Sequence, residues 1–469
     1  MQISLLLLFL AVFHSSVRSE DLKLVITLAR HGIREGEINM QTGAKTNQDL
    51  TAPGMRQQYL LGEYLAQKYR QNHSNFWDTT YDPYKFYVRA SNSDRTLISA
   101  QSQLLGIFPF GTGPNITVND PERIQPPLNL TVDVSKLGQA AVLNNYQPVA
   151  IMSTNEELDF LLRSYYSSTC PKLDKLRADR KTDAFYQNIA QQLGPVVAEI
   201  RSTMNISSKI KLDTLDDLSN FYDALLAIYY NGRDPGLDLN GELFRKIQYL
   251  AEFQYLYVLH GNTTLLQIGL SPIIQEIISN IDGVLSGASQ LQGVTFVGHE
   301  STLMGMLTAL NVSSHQCVID YFNANKSHDA NCFGKPIFSS HFEFEVYTNN
   351  SSPYIRTWYN GQELDLCNGT PCSYSRFKSM LNPYVVTKAQ YRDMCGNRML
   401  RDNPYEEYNY TSTITDTTND GKRPVMTYIV INIILALLLV VINRYGKELT
   451  LRFLPKTADR NEAIELAET

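Results

Sequence analysis

The chain has 469 residues, of which 43% are hydrophobic and 19% are charged. This composition supports a sizeable folded core and excludes global disorder, and the length suits two packed domains. The 41 basic and 47 acidic residues give a formal net charge of −6. Because no basic block accompanies this balance, no nucleic-acid partner is expected.

The first residues predict a segment that is removed from the mature protein. An apolar run over residues 3–13 is too short to cross a bilayer, and Val17-Arg18-Ser19 then offers small residues near a cleavage point. We interpret residues 1–19 as a secretory signal peptide.

Strand and helix patterns alternate in the next part of the chain. Leu22–Ala29 predicts a buried strand, and Thr51-Ala52-Pro53 predicts the start of a helix that continues through Met55–Arg70. Lys85–Ala90 predicts a second strand, after which Ser93 is placed to cap another helix. This alternation predicts a parallel βαβ sheet.

The middle of the chain, about Val142 to Ile281, changes to long helical patterns with few strand signals. We interpret residues 142–281 as a mainly α-helical cap inserted into a core formed by residues 20–141 and 282–400. The clearest helical stretches are Asn155–Ser167, Ala184–Met204, Asp216–Tyr230 and Gly241–His260.

The core pattern returns after the predicted cap. Val294–Val297 predicts a strand and Ser301–Leu310 the helix that follows it, whereas His341–Tyr347 and Tyr354–Tyr359 alternate like antiparallel strands. The predicted fold is therefore α/β, with a mainly parallel-sheet core domain and an inserted helical cap.

The C-terminal part predicts a membrane anchor. Residues 401–423 are polar and indicate a stalk, while residues 424–443 contain Asn432 as the one strongly polar side chain before Ile442. As a helix, residues 424–442 measure about 28 Å, which is enough to cross the hydrocarbon core of a bilayer. Arg444 and Lys447 follow and predict that the tail, 444–469, is cytoplasmic. We expect a single-pass type I membrane protein whose body is extracellular or lumenal, in a lysosome or vacuole.

Six cysteines and eleven Asn-X-Ser/Thr sequons agree with a secreted body. An even cysteine count in this compartment favours three disulfides over a metal site. The sequons predict N-glycosylation on an exposed surface. They begin at Asn72, Asn115, Asn129, Asn205, Asn262, Asn311, Asn325, Asn349, Asn350, Asn368 and Asn409.

The residues that could carry chemistry follow three predicted strands. Arg30-His31-Gly32-Ile33-Arg34 ends the first strand, Asp94-Arg95-Thr96 follows the second, and His299-Glu300 follows the third. The carboxyl ends of parallel strands open into a common crevice, so these side chains are expected at one ligand site. Guanidinium groups match phosphate oxygens, and a neutral imidazole among them can attack phosphorus.

Other interpretations of these residues fit less well. His299-Glu300 could begin an H-E-x-x-H zinc motif, but position 303 is Leu. Ser301 lacks the surrounding G-x-S-x-G of a serine hydrolase, and no nucleotide P-loop occurs. Six further histidines are interpreted as structural or surface residues: His14, His73, His260, His315, His328 and His341.

Three motifs together carry a family resemblance. Arg30-His31-Gly32-Ile33-Arg34 resembles the R-H-G-x-R signature of the histidine acid phosphatases, branch two of the histidine phosphatase superfamily. Leu50-Thr51 to Tyr69 resembles that family's L-T-x-x-G…L-G…Y helix, and Asp94-Arg95-Thr96 with Ser99-Ala100 resembles its D-R-T-x-x-S-A segment. The motifs stand in the correct order, which makes the match specific.

The resemblance implies an α/β core with a mainly helical cap and no metal or other cofactor. It implies that His31 forms a phosphohistidine, that Glu300 is the proton donor, and that the phosphate is held by Arg30, Arg34, Arg95 and His299. It also implies the disulfides Cys170–Cys395 and Cys367–Cys372. Cys317 has no obvious partner in the cap, so we pair it with Cys332.

Two departures from the family pattern bear on the site. The signature normally ends R-x-P, whereas here it ends Arg34-Glu35-Gly36. The missing Pro is expected to loosen the loop, and Glu35 is expected to weaken phosphate binding or to favour cationic substrates. Glu300 stands where the family usually has Asp, and its extra methylene is expected to alter leaving-group preference.

The expected activity is that of an acid phosphatase on small phosphate monoesters, with an acidic pH optimum. One alternative is a phytase or lysophospholipid phosphatase of the same branch. Another is a non-catalytic receptor or adhesion ectodomain on the same scaffold, because fold alone does not guarantee activity. The natural substrate, the membrane and the oligomeric state, including a homodimer, stay open.

Overall fold

The computed structural model describes residues 20–71, 73, 76–118, 124–127, 135–350, 352–369 and 371–397, which belong to one compact unit. The predicted signal peptide (1–19), stalk (401–423), transmembrane helix (424–443) and tail (444–469) lie outside the described residues. Within the described ranges, no helix combines the length and the apolar character that a membrane span requires.

Among the described residues, seven strands form one central sheet. In chain order they are β1 (Asp21–Arg30), β2 (Phe86–Ala90), β3 (Gly293–Gly298), β4 (His341–Asn349), β5 (Ser352–Tyr359), β6 (Gln362–Glu363) and β7 (Cys372–Ser373). The spatial order is β2-β3-β1-β4-β5-β6, and β7 pairs with β5. The strands predicted around residues 22–29, 85–90, 294–297, 341–347 and 354–359 are therefore confirmed.

The sheet is mixed, so the prediction of a mainly parallel sheet is wrong. β1 and β2 both lie parallel to β3, but β4 runs antiparallel to β1, and β5 antiparallel to β4. Only residues 350 and 351 separate β4 from β5, and a connection this short can join only antiparallel strands. The parallel part is limited to the three strands that carry the candidate site.

Both faces of the parallel part are covered, which explains why β1 is a nearly continuous apolar run. Leu24, Ile26 and Leu28 are buried in a large cluster that includes helices of the region 173–285. Val25 and Ala29 belong to a second cluster on the opposite face.

Twelve α-helices occur among the described residues. They are α1 (Ala52–Ala66), α2 (Asp94–Ile107), α3 (Leu173–Lys181), α4 (Ala184–Ala190), α5 (Leu193–Thr203), α6 (Leu215–Tyr230), α7 (Glu242–His260), α8 (Thr263–Leu285), α9 (Glu300–Ala309), α10 (His315–Asn323), α11 (Tyr374–Leu381) and α12 (Lys388–Cys395).

Two helical predictions in the middle of the chain need correction. Asn155–Ser167 is not an α-helix: it holds a short 3-10 turn at Glu156–Leu158, and the buried carboxylate of Asp159 accepts hydrogen bonds from Leu162 N and from Arg89. These side-chain bonds replace a helical ladder. The stretch 184–204 is divided into α4 and α5 at residues 191–192, and Pro195 lies in the first turn of α5, where a proline is tolerated.

Helix capping follows the sequence at α1 but not at α2. The hydroxyl of Thr51 accepts a hydrogen bond from Gly54 N, as expected of an N-cap. Ser93 occupies the N-cap position of α2, yet its hydroxyl pairs with Thr96 Oγ1 at 2.9 Å and makes no cap to the backbone.

Three disulfides join the six cysteines. They are Cys170–Cys395, Cys317–Cys332 and Cys367–Cys372, the same pairs that were expected above. The first joins residues 225 positions apart and therefore ties the start of the helical region to the end of the described chain.

The start of α1 lies directly against the loop that follows β1. A Cβ atom added to Gly32 would lie 2.3 Å from the carbonyl oxygen of Gly54, and one added to Gly54 would lie 2.1 Å from that of Ile33. Both contacts are with backbone atoms, which cannot rotate away. Glycine at these two positions therefore permits the approach of helix and loop.

Replacing Gly54 with Ala is expected to force α1 away from the loop and to lower the free energy of unfolding by about 1–3 kcal/mol. Urea unfolding of the purified protein measures this change. Gly194→Ala is the matched control, because a Cβ atom there meets nothing within 4 Å in α5. It should be neutral or slightly stabilising. Equal stabilities for the two variants would contradict the close approach.

Candidate active site

The register of the parallel strands aligns three strand ends at one edge of the sheet. Arg30 of β1 pairs with Gly298 of β3, and Ala90 of β2 pairs with Val297. The ladder continues one residue further, since His31 N donates to Gly298 O and Ser91 N donates to Val297 O, each at 3.0 Å. The residues that follow β1, β2 and β3 are thereby neighbours.

His31 is a buried, neutral imidazole with a defined tautomer. Its side chain is almost fully enclosed, and its Nδ1 lies 2.8 Å from the carbonyl oxygen of Gly32. Because a carbonyl only accepts, Nδ1 carries the proton and Nε2 keeps its lone pair. Burial lowers the pKa of His31 well below its usual value, and the charges of Arg30, Arg95 and other cations lower it further.

Arg30 and Arg34 are buried beside this imidazole. Nη1 of Arg30 donates to Pro336 O at 2.8 Å, and its guanidinium group lies 4.2 Å from the centroid of the Phe338 ring. Nη1 of Arg34 donates to Glu35 O at 2.8 Å. These contacts hold both guanidinium groups in fixed orientations.

Asp223 of α6 bridges the two guanidinium groups. Its Oδ2 lies 3.0 Å from Arg34 Nη2, and its Oδ1 lies 3.4 Å from Arg30 Nη2 and 3.9 Å from Lys335 Nζ. Burial alone would raise the pKa of Asp223, but Arg34, Lys335 and Arg30 outweigh it and lower the pKa. Asp223 is therefore an anion that the helical region contributes to the site.

Arg95 lies in the first turn of α2, close enough that its charge lowers the pKa of His31. Its Nε atom is buried and has no hydrogen-bond partner among the described residues. A buried donor without a partner costs free energy. An anion at this position would remove that cost.

His299 faces His31 edge-on, with 5.6 Å between the ring centroids. Its Nε2 lies 2.9 Å from Ser91 Oγ, which fixes the orientation of the ring. Burial lowers the pKa of His299 well below its usual value, with a further contribution from Arg95.

Glu300 begins α9, and its Oε2 lies 3.2 Å from Arg30 Nε. Burial alone would raise its pKa. Arg30, Lys335 and other cations outweigh burial, so the pKa of Glu300 is lowered well below its usual value. In the free protein this carboxyl group is therefore ionised.

The structure thus brings together the six residues that the sequence singled out: Arg30, His31, Arg34, Arg95, His299 and Glu300. Glu35, which was expected to place negative charge beside the pocket, instead lies 2.7 Å from Arg233 at the surface. The negative charge near Arg34 comes from Asp223 and from Glu37, whose Oε1 lies 3.8 Å from Arg34 Nη2.

Sequence reasoning missed several residues of the site. Asp223 is separated from Arg30 by 193 positions and sits in an ordinary amphipathic helix, so no local pattern marks it. Lys335 and Phe338 belong to the irregular segment before β4. Ser91 could have been found, because it directly follows a predicted strand.

Among the described residues, no group of three or more His, Cys, Asp or Glu side chains is arranged to hold a metal ion.

The family model of the histidine phosphatase superfamily (branch 2) matches residues 27–360. The lysosomal acid phosphatase of Xenopus laevis is 24% identical over 404 residues, 82% of each chain. The prostatic acid phosphatase of Bos taurus is 23% identical over 399 residues, 82% of this chain and 91% of that protein.

Solved structures show the same fold. The phytase of Klebsiella sp ASR1 aligns with a TM-score of 0.51 at 16% identity and covers 79% of this chain and 97% of that one. The phytase of D. castellii aligns with a TM-score of 0.50 at 15% identity, over 85% and 88% of the two chains.

We expect the imidazole of His31 to stay neutral as the pH falls from about 8 to about 5.5. A free histidine titrates in this range, but the lowered pKa of His31 keeps the ring unprotonated. NMR of the histidine ring carbons measures this directly. His328 is an internal contrast: burial would lower its pKa, but Glu252 at 2.6 Å outweighs burial and raises it. A His31 signal that titrates together with that of His328 would contradict the assignment.

Proposed function

The chain belongs to branch 2 of the histidine phosphatase superfamily and is a histidine acid phosphatase, and we propose that it hydrolyses phosphate monoesters through a phosphohistidine on His31. The observation that carries the proposal is the neutral imidazole of His31, which is surrounded by Arg30 and Arg34 from the end of β1 and Arg95 from the start of α2, with His299 beside it. A tetrahedral dianion complements such a cluster, because guanidinium groups bind phosphate oxygens in a bidentate manner.

In the first step, Nε2 of His31 attacks phosphorus and the ester P–O bond breaks. Arg30, Arg34, Arg95 and His299 stabilise the charge on the three phosphoryl oxygens in the transition state. Glu300 gives its proton to the leaving oxygen, so that the alcohol departs uncharged. The proton on Nδ1 of His31, held by Gly32 O, keeps Nε2 as the attacking atom.

In the second step, water attacks the phosphohistidine. Glu300, now ionised, accepts a proton from that water as the P–N bond breaks. Phosphate is released, the imidazole is neutral again, and Glu300 is again protonated. The proton that Glu300 gives up in the first step is thus restored in the second step.

Glu300 must be protonated when the ester binds, although it is ionised in the free protein. Binding of the substrate changes the protonation state of Glu300 in two ways. A phosphate monoester brings negative charge close to Arg30 and Arg34, which reduces their stabilisation of the Glu300 carboxylate and raises its pKa in the complex. The monoanionic ester also carries one proton that Glu300 can take up on binding. Acidic pH favours both routes.

We also propose that the body of the protein is extracellular or lumenal, held by the predicted span at 424–443. Relatives named lysosomal acid phosphatase support this location. The predicted glycosylation sites are compatible with it, since among the described sequons Asn115, Asn205, Asn262, Asn311, Asn325, Asn350 and Asn368 are exposed and Asn349 is half-buried.

His31→Ala is expected to reduce hydrolysis of 4-nitrophenyl phosphate at least about a thousandfold, since the nucleophile is lost. It should also abolish a phosphoenzyme that the wild type forms and that an alkaline quench preserves. His315→Ala, a half-buried histidine outside the site, is the control and should keep its activity. A phosphoenzyme in the His31 variant would overturn the mechanism.

Glu300→Gln is expected to lower kcat/KM, which reports the steps up to departure of the alcohol, about 10²- to 10⁴-fold for glycerol phosphate but much less for 4-nitrophenyl phosphate, whose leaving group needs no proton. In the wild type, kcat should fall as the pH rises and the donor of the complex ionises. The variant should lose this alkaline limb. Equal losses for the two esters, or an unchanged alkaline limb, would show that another group is the donor.

A further inference from the structure

A cavity of about 480 Å³ opens beside Glu300, between α3, α6 and α7. We call it the leaving-group chamber; the residues of its lining that matter here are Glu37, Asp223, Tyr255, Glu300 and Lys335. Of the six predicted site residues, Glu300 is the one that lines the chamber in the described part of the chain. Because Glu300 is the proposed donor to the leaving oxygen, the alcohol part of a bound ester must project into this space.

The lining carries an excess of negative charge, with five carboxylates and three cations. Each cation faces a carboxylate: Lys335 lies 3.9 Å from Asp223, Arg177 lies 3.6 Å from Asp174, and Lys181 is ion-paired with Asp216. The carboxylates left over are those of Glu37 and Glu300. Glu300 pairs with Arg30, and Glu37 has no cation of the chamber lining within 4 Å among the described residues, although the charge of Lys335 acts on it at longer range.

Glu37 is also accessible to a ligand. Its side chain is 38% exposed, and its only ion-pair contact among the described residues is with Arg34 at 3.8 Å. Arg34 is already bound more closely by Asp223, at 3.0 Å. Burial raises the pKa of Glu37, and the neighbouring charge of Asp223 raises it further, while Arg34 acts in the opposite direction.

We propose that Glu37 is a specificity-determining residue, which makes the leaving-group chamber disfavour alcohols that carry negative charge. The preferred substrates are then esters of a single phosphate whose alcohol is uncharged or cationic, rather than polyphosphorylated compounds. This inference rests on the proposed function, because it assumes that the ester binds with its leaving oxygen at Glu300.

Three small esters test the inference in the full-length protein. Glycerol 3-phosphate has a neutral hydroxymethyl group where 3-phosphoglycerate has a carboxylate. The alcohol part of phosphoethanolamine carries a positive charge. At about pH 7, more than two units above the usual glutamate pKa of about 4.3, kcat/KM should rank phosphoethanolamine first and 3-phosphoglycerate last. A gap of about tenfold between glycerol 3-phosphate and 3-phosphoglycerate is expected for one like charge nearby.

Glu37→Gln should close most of that gap, because it removes the charge and keeps the shape. Glu35→Gln is the matched control, because Glu35 lies two positions away and its carboxylate faces Arg233 outside the chamber. This variant should keep the wild-type ratio of kcat/KM for the two esters. An equal rate for both esters in the wild type would overturn the inference. So would an unchanged ratio in Glu37→Gln, or the same change in both variants. Folded protein that hydrolyses none of the esters would instead overturn the proposed function.

Discussion

The balance of charge around His31 is the constraint on which the rest of the site depends. Arg30, Arg34 and Arg95 surround an imidazole that must stay neutral to attack phosphorus. Buried cations of this kind are costly unless anions accompany them. Asp223 and Glu300 supply those anions in the free protein, at 3.0 Å from Arg34 and 3.2 Å from Arg30. A phosphoryl group would share these cations with Asp223 and release Glu300 for proton transfer.

The packing of α6 against the loop gives a physical reason why the signature ends in Gly36 and not in Pro. A Cβ atom at Gly36 would lie 3.1 Å from Ala224 Cα, so a small residue there allows α6 to pack against the loop. Asp223, the neighbour of Ala224, thereby reaches Arg34. Asn231, the first residue after α6, donates a hydrogen bond from its Nδ2 to Arg34 O at 3.1 Å. The loop that lacks the family Pro is therefore held by a helix from the middle of the chain.

Local patterns predicted much of this molecule. Buried strands such as β1 and capped helices such as α1 follow from apolar runs and turn residues, and the strand ends located the cluster around His31. The mixed sheet was less predictable, because the pairing of β4 with β1 depends on distant parts of the chain. Asn155–Ser167 has helical composition, yet the carboxylate of Asp159 organises it into turns.

Contacts between distant residues explain the remaining misses. Asp223 and Lys335 enter the site through tertiary packing, which a single sequence does not reveal. Glu35 and Glu37 show the same limit at short range: they are two positions apart, but Glu35 faces Arg233, while Glu37 lines the leaving-group chamber. The direction of a loop side chain has no periodic signal, so the sequence could not assign which carboxylate faces the ligand.

A crystal structure with bound vanadate tests the central claim most directly, because vanadate adopts the geometry of the phosphoryl group in transfer. The account predicts vanadium bonded to His31 Nε2, with Arg30, Arg34, Arg95 and His299 on its equatorial oxygens and Glu300 beside the apical oxygen opposite His31. Vanadate bonded to another residue, or held away from Arg95 and His299, would contradict it.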